Sequence, residues 1–308
     1  MSAVVEALNQ ISPRWLTLTF AIAWQSSLLI VIVGVIAKLL RRASPAVRYW
    51  LWQVVAIKLL LMPLWTATIP VPWPAERASS PSAPTHIAAT PSQQTAGRNT
   101  GATQPNLPAS RQSSSTASII AATEPRLTWQ SGLFLGWIAI IGLQIVRLAV
   151  QRRRLARLLQ HCQPAPSDLA ALVARVAETI GARRRPTILV ADTVCSPFAC
   201  GILRPAIVIP QSLLAGLTPS QLRQTVAHEL AHVERFDLAW GWTVQLARIA
   251  YFFHPLVHWL AGRIRLEREL ACDQWVIHRG GHAPADYMQT LIQVVSHLSR
   301  TPREETTS

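Results

Sequence analysis

Acidic side chains are scarce in this chain: 15 Asp and Glu stand against 29 Lys and Arg among 308 residues, a formal net charge of +14. Charged residues of both signs make up only 14% while half of the chain is hydrophobic, which argues against an ordinary soluble globule. The cations crowd the ends of apolar stretches and do not spread over a face as a groove-reading surface requires, which excludes direct nucleic-acid binding and makes the lipid bilayer the first partner. Cysteine is sparse too. Cys162, Cys195, Cys200 and Cys272 show neither CxxC spacing nor the density of a secreted disulfide scaffold, so they read as small buried residues in a reducing compartment.

Long apolar runs are what the chain has instead. Residues 15–40, WLTLTFAIAWQSSLLIVIVGVIAKLL, suffice to cross a hydrocarbon core about 30 Å thick, with Lys38 placed to snorkel at the end. A cleaved signal peptide competes, but the run is too long and no small-residue cleavage site precedes the RRASPAVR loop. A second run over residues 49–71 follows that loop, completing a membrane hairpin over 1–71. Lys58 inside it reads as a packing partner in preference to a functional group. Residues 72–127 are dominated by Pro, Ser, Thr, Ala and Gln and predict a disordered extracytoplasmic linker. A third membrane helix over 128–150 runs into the basic stretch QRRRLARLL.

Arg41, Arg42 and Arg48 flank the first loop, and Arg152, Arg153, Arg154 and Arg157 follow the third helix, so the positive-inside rule puts both sites in the cytoplasm. The predicted location is thus a bacterial-type inner membrane, crossed several times. Residues 151–308 form a cytoplasmic domain with the reduced cysteines in it. That domain opens with a helix-like pattern over 167–180 ended by Gly181, then gives strands TILVA (187–191) and AIVIP (206–210). AIVIP either presents an edge for an extended peptide or lies buried within a sheet. A helix starts after Thr218, Pro219 and Ser220, and another amphipathic helix covers about 286–298. The apolar stretch 238–260 reads either as a helix pair, buried in the domain or resting on the bilayer, or as a fourth span.

The chemistry is concentrated in HELAH. On a helix, His228 and His232 lie one turn apart on one face and can share a tetrahedral zinc ion, while Glu229 is placed to take a proton from water. The flanking Val226, Ala227, Leu230, Ala231 and Val233 make the helix apolar, and three ionisable groups there need a metal or partner to offset desolvation. A third protein ligand is required. LERELACDQW offers Glu269, with Asp273 one turn on to accept from the outer nitrogen of a ligand imidazole, His228 above all; Glu267 competes but points elsewhere on the helix. A third histidine six residues after His232 is excluded, because that position is Leu238.

HELAHVERFD, FHPLVHWLAGRIRLERELACD, SPFACGILRPAIVIP and the start RYWLWQVVAIKLLLMP together resemble the BlaR/MecR-type antirepressor metallopeptidases, over most of the chain. The resemblance implies a multi-pass α-helical membrane region plus an α+β gluzincin-like zinc peptidase domain, mostly helical with a small sheet. It implies Zn2+ held by His228, His232 and Glu269, Glu229 as general base, and a cytoplasmic protein substrate such as a transcriptional repressor; a homodimer is compatible with it. The signalling members continue into a penicillin-binding sensor domain, whereas this sequence stops at Ser308 without an SxxK acylation site, so direct β-lactam sensing is not expected. Two other readings stand beside it: a membrane scaffold with structural zinc, which would not require Glu229, and a housekeeping quality-control peptidase. Tyr251, His254, His258 and His278 are the residues available to stabilise an oxyanion, and the segment 151–157 is an accessible place for a self-cut.

Overall fold

The computed structural model describes residues 2–62, 126–192, 194, 196–281 and 283–300. It is mostly helical with one small mixed sheet. The long helix α1 (Ser2–Leu39) passes through a 3-10 turn into α2 (Pro45–Leu61), which Ser44 caps by accepting from Val47 N–H. Helix α3 (Trp129–His161) follows, capped by Thr128. Among the described residues, α1 with its turn and α3 are the two helices long and apolar enough to cross a membrane. They run side by side in the same direction: Asn9 Oδ1 accepts from Thr128 N–H and Ser131 Oγ at one end, and Trp15 lies 5.3 and 5.4 Å from the Phe134 and Trp137 rings further along.

Several expectations change here. Residues 63–71 of the second expected helix lie outside the described residues, as does the expected linker except for 126 and 127. Lys58 is exposed on α2 among the described residues, which does not bear out the expected role in helix packing. The basic segment 151–157 continues α3 without a break. A helical backbone is satisfied internally and offers no extended strand to a protease, which removes the basis for a self-cut there.

The remaining elements build a layered unit. Strand β1 (Gln163–Pro164), helix α4 (Ser167–Thr179), and strands β2 (Thr187–Ala191), β3 (Phe198–Cys200) and β4 (Ala206–Pro210) lead to the short helix α5 (Gln211–Gly216). The sheet order is β1-β2-β4-β3; β2 and β4 are parallel, and β1 and β3 pair antiparallel at the two ends. AIVIP is therefore the buried interior strand, as its continuous apolar run requires, and β3 is the edge. Gly201 makes the β3–β4 return possible: its φ is +79°, and a Cβ there would lie 2.3 Å from the Arg204 carbonyl oxygen.

Helix α6 (Pro219–Glu234) starts with a full capping box between Thr218 and Gln221. Its Val226, Ala227, Leu230, Ala231 and Val233 join Val173 and Ile180 of the α4 region, Ile207 and Ile209 of β4, and Val276 in one core. The stretch 238–260 is not one continuous rod. Helix α7 (Asp237–Ala250) stops, the chain turns, and α8 (Pro255–Gly280) returns beside it before α9 (Pro284–Arg300). The direction is fixed by α2: Gln53 donates to Trp240 O and Tyr251 O–H to Leu59 O, while Trp52 meets Trp259 and Arg48 meets Glu267. Thus α7 runs along α2 and α8 comes back, the pair sharing a second core with α1 and α2 that includes Ile30, Trp52, Leu59, Val257 and Leu260.

Glu267, the weaker sequence candidate for a ligand, is only 2% exposed and bonds Arg48 Nε at 2.9 Å and Arg263 at 3.3 Å. Removing one partner of a buried pair strands the other's charge. Arg48→Ala and Glu267→Ala should each lower stability by about 3 kcal/mol, and the double variant by less than the sum; unfolding in detergent would check this, and additive losses would show that the pair is not coupled.

Candidate metal centre

Helix α6 presents His228 and His232 one turn apart, with ring centroids separated by 4.9 Å and planes at 84°. Helix α8 crosses this face and brings Glu269 Oε2 to 3.6 Å from His228 Nε2 and 3.4 Å from His232 Nε2. One ligand atom from each of the three side chains lies within 4.8 Å of the others. Metal–nitrogen and metal–oxygen bonds of about 2.0–2.2 Å at a tetrahedral angle place ligand atoms roughly 3.3–3.6 Å apart, so the donor set fits a divalent cation in both spacing and chemistry. Glu269 is 40% exposed at its side chain, leaving one side of the triad open.

The outer nitrogens are fully engaged. His228 Nδ1 lies 3.1 Å from Asp273 Oδ1 and 2.9 Å from Tyr287 Oη, and the tyrosine donates to the same Asp273 oxygen at 2.8 Å. His232 Nδ1 lies 3.0 Å from Asp237 Oδ2. Asp237 in turn accepts from Arg235 Nε at 3.3 Å and Cys272 Sγ at 3.1 Å. His232, Asp237 and Cys272 form a second group of metal-ligand types. Burial pushes the Cys272 thiol up to about 11, and the thiol donates to Asp237 behind His232. Carboxylates behind imidazoles fix the tautomer and raise ligand basicity.

Asp237 and Tyr287 were not singled out in the sequence. Asp237 reaches back to His232 because Phe236 takes a left-handed conformation, φ 57°, the only positive φ at a non-glycine residue among those described. A bulky residue there is strained; Arg184 stacks over its ring at 4.1 Å. Tyr287 comes from α9, 59 positions from His228, and no local pattern links the two.

Electrostatics follow from these contacts. Burial works to lower the His228 imidazole, but its bonds to Asp273 and Glu269 outweigh this and lift it to about 9. His232 is raised more strongly, against the same burial, by Asp237, Cys272 and Glu269. Burial opposes ionisation of Glu269 as well, yet the two imidazoles and Arg268, which donates at 2.9 Å, hold it well below the usual carboxylate range. Glu229, almost wholly buried, moves the other way: desolvation pushes it up despite the imidazoles and the Ala199 backbone N–H on β3. A carboxyl poised upward beside an open triad suits proton transfer near neutral pH.

The residues considered for an oxyanion role are occupied elsewhere. His254 Nε2 contacts Ser26 Oγ, Ser27 Oγ and Ala23 O on α1 at 3.1–3.2 Å, His258 Nε2 meets Phe252 O, Tyr251 donates to Leu59 O, and His278 faces Gln274.

Comparison with known proteins points the same way. A family profile described as BlaR1 peptidase M56 matches residues 17–307. The regulatory protein BlaR1 of Bacillus licheniformis is 24% identical over 144 residues, which is 46% of this chain and 24% of that protein. The chain thus spans about a quarter of the length of the curated relative it matches.

In the metal-free site His228 and His232 hold protons that a cation must displace, so metal affinity should rise with pH through about 9, where His228 gives up its proton, and less steeply beyond it, because His232 is raised further. Competition with a chelator at several pH values would show this, a flat profile being the contrary result. Tyr287→Phe, which removes a hydrogen bond behind His228, should weaken metal binding roughly 10-fold with the fold intact.

Proposed function

The chain belongs to the BlaR1 peptidase M56 family, a family of metallopeptidases, and from that premise we propose that it is a membrane-anchored zinc endopeptidase cutting a cytoplasmic protein. The observation that carries the reading is the convergence of His228 Nε2, His232 Nε2 and Glu269 Oε2 beside the buried Glu229. Two imidazoles and a carboxylate with an open fourth side are the donor set that zinc takes in hydrolytic sites, whereas a structural site closes all four positions. Bound there, zinc supplies the Lewis acidity that makes water nucleophilic at neutral pH and polarises a carbonyl.

The chain's own residues do the rest. Glu229 accepts the proton of the attacking water as its oxygen bonds the scissile carbonyl carbon; the C–N bond then breaks and Glu229 delivers the proton to the leaving amine. Ala199 N–H steadies this carboxylate. Asp273 with Tyr287, and Asp237 with Cys272, keep Nε2 of each histidine turned toward Glu269. The outer side of β3 ends the sheet and runs beside Glu229, so an extended substrate segment can pair there by backbone hydrogen bonds.

The membrane assignment rests on α1 and α3, which run parallel, and whose basic ends, Lys38 to Arg42 and Arg152 to Arg154, consequently lie on one side. Positive charge marks that side as cytoplasmic, and the metal centre follows these ends in the chain. The relative named as a regulatory protein supports a signalling role, and a repressor is the substrate class that the family resemblance implies.

Metal content and proteolysis of the detergent-solubilised chain test this together. Wild type and Glu229→Gln should each hold about one zinc, Glu269→Ala should lose it, and only wild type should cleave, the Gln variant falling at least 10²-fold in line with loss of a general base. Zinc retained by Glu269→Ala would overturn the ligand set; cleavage surviving in Glu229→Gln would overturn the base.

A further inference from the structure

A cavity of about 330 Å³ opens between α7 and α8, outside the metal triad, with Gln245, Arg248, His258, Arg265 and Arg268 in its wall. We propose that it binds the phosphate headgroup of an anionic phospholipid. The inference rests on the membrane reading of α1 and α3 given above.

The level of the cavity follows from contacts along α1 and α2. The turn between α7 and α8 reaches Ser26, in the middle of the α1 apolar run, through His254. Higher up, Trp259 packs on Trp52 and near Gly34, and Glu267 meets Arg48 at the basic end of the hairpin. The α7–α8 pair therefore dips into the apolar layer from the basic side and returns. Arg248 lies within a turn of the α7 tip, and Arg265 lies close to the level of Arg48.

A guanidinium at the depth of Arg248 is costly unless an anion or water meets it. Among the described residues neither Arg248 nor Arg265 forms an ion pair with a carboxylate, whereas Arg268 is held by Glu269. Space is also left for a ligand: a Cβ added at Gly241 or Gly262, both in the wall, would meet nothing within 4 Å. Planar guanidinium groups bind phosphate oxygens in pairs, and basic pockets between helices on the cytoplasmic side suit lipid headgroups. A phospholipid fits better than an acidic peptide, because Leu246, Phe253 and Trp259 leave the hairpin's outer surface apolar, where acyl chains can lie.

The test uses the full chain in detergent, native mass spectrometry, and phosphatidylglycerol against phosphatidylcholine of matched acyl chains. Wild type should retain phosphatidylglycerol at least tenfold over phosphatidylcholine, and R248Q/R265Q should lose that preference. R153Q/R154Q, on the exposed face of α3, should keep it. Should the first double variant fail to fold, R265Q alone, an exposed position, should lower the preference about threefold. Equal retention of both lipids by wild type, an unchanged preference in R248Q/R265Q and R265Q, or its loss in R153Q/R154Q would each overturn the proposal. So would protection of the cavity by an acidic peptide or inorganic phosphate but not by phosphatidylglycerol. Zinc is measured on the same samples: missing zinc with the lipid preference intact refutes the peptidase reading and leaves this one standing.

Discussion

The ion pair between Arg48 and Glu267 fixes α8 against α2, and through α8 it fixes the metal ligand. Residues two apart on a helix are separated by about 200° around its axis, so Glu267 and Glu269 must face opposite ways. One reaches α2 and the other reaches the histidines of α6. A sliding of α2 along α8 would carry Glu269 with it while α6 stayed anchored in the other core. The position of the third ligand is thus mechanically tied to the α1–α2 hairpin.

Around the histidines the charges are arranged in layers. Glu269 faces both Nε2 atoms, Asp273 and Asp237 face the two Nδ1 atoms, and Arg268 and Arg235 balance the first and last of these carboxylates. Without a cation this cluster draws protons onto the imidazoles; a divalent ion replaces those protons at little cost in local charge. Glu229 moves the other way because it is almost wholly buried and has a single backbone donor as hydrogen-bond support. The site therefore separates Glu269, whose charge the imidazoles and Arg268 favour, from Glu229, whose burial favours the protonated form.

Much of this was legible from local patterns, and what was missed was not local. The strands 187–191 and 206–210 coincide with β2 and β4, and the Thr218 start signal opens α6, because short apolar runs and capping act over a few residues. The placing of β3 at the edge needs the Gly201 reversal, whose signal was buried in a turn-rich loop. Asp237 could be reached only through a left-handed Phe236, an arrangement that propensity argues against. Tyr287 depends on α9 packing over α6, and no spacing rule spans 59 residues. The break in 238–260 was signalled by His254 and Pro255, although only the contacts with α2 show that the chain doubles back.

An apolar assembly of this kind has a problem of register, because one leucine surface resembles another. Polar contacts solve it where apolar packing cannot. Asn9 and Ser12 meet Thr128 and Ser131 at one end of α1 and α3; Ser26 and Ser27 take His254 at the middle of α1; Gln53 reaches Trp240 and Thr243; Tyr251 reaches the backbone of Leu59. Each tie satisfies polar groups that apolar packing alone would leave without a partner, so a slip of one helical turn would break several at once. Those ties set the height of the α7–α8 pair, the height of that pair sets Glu267, and Glu267 sets the face that Glu269 turns toward the histidines.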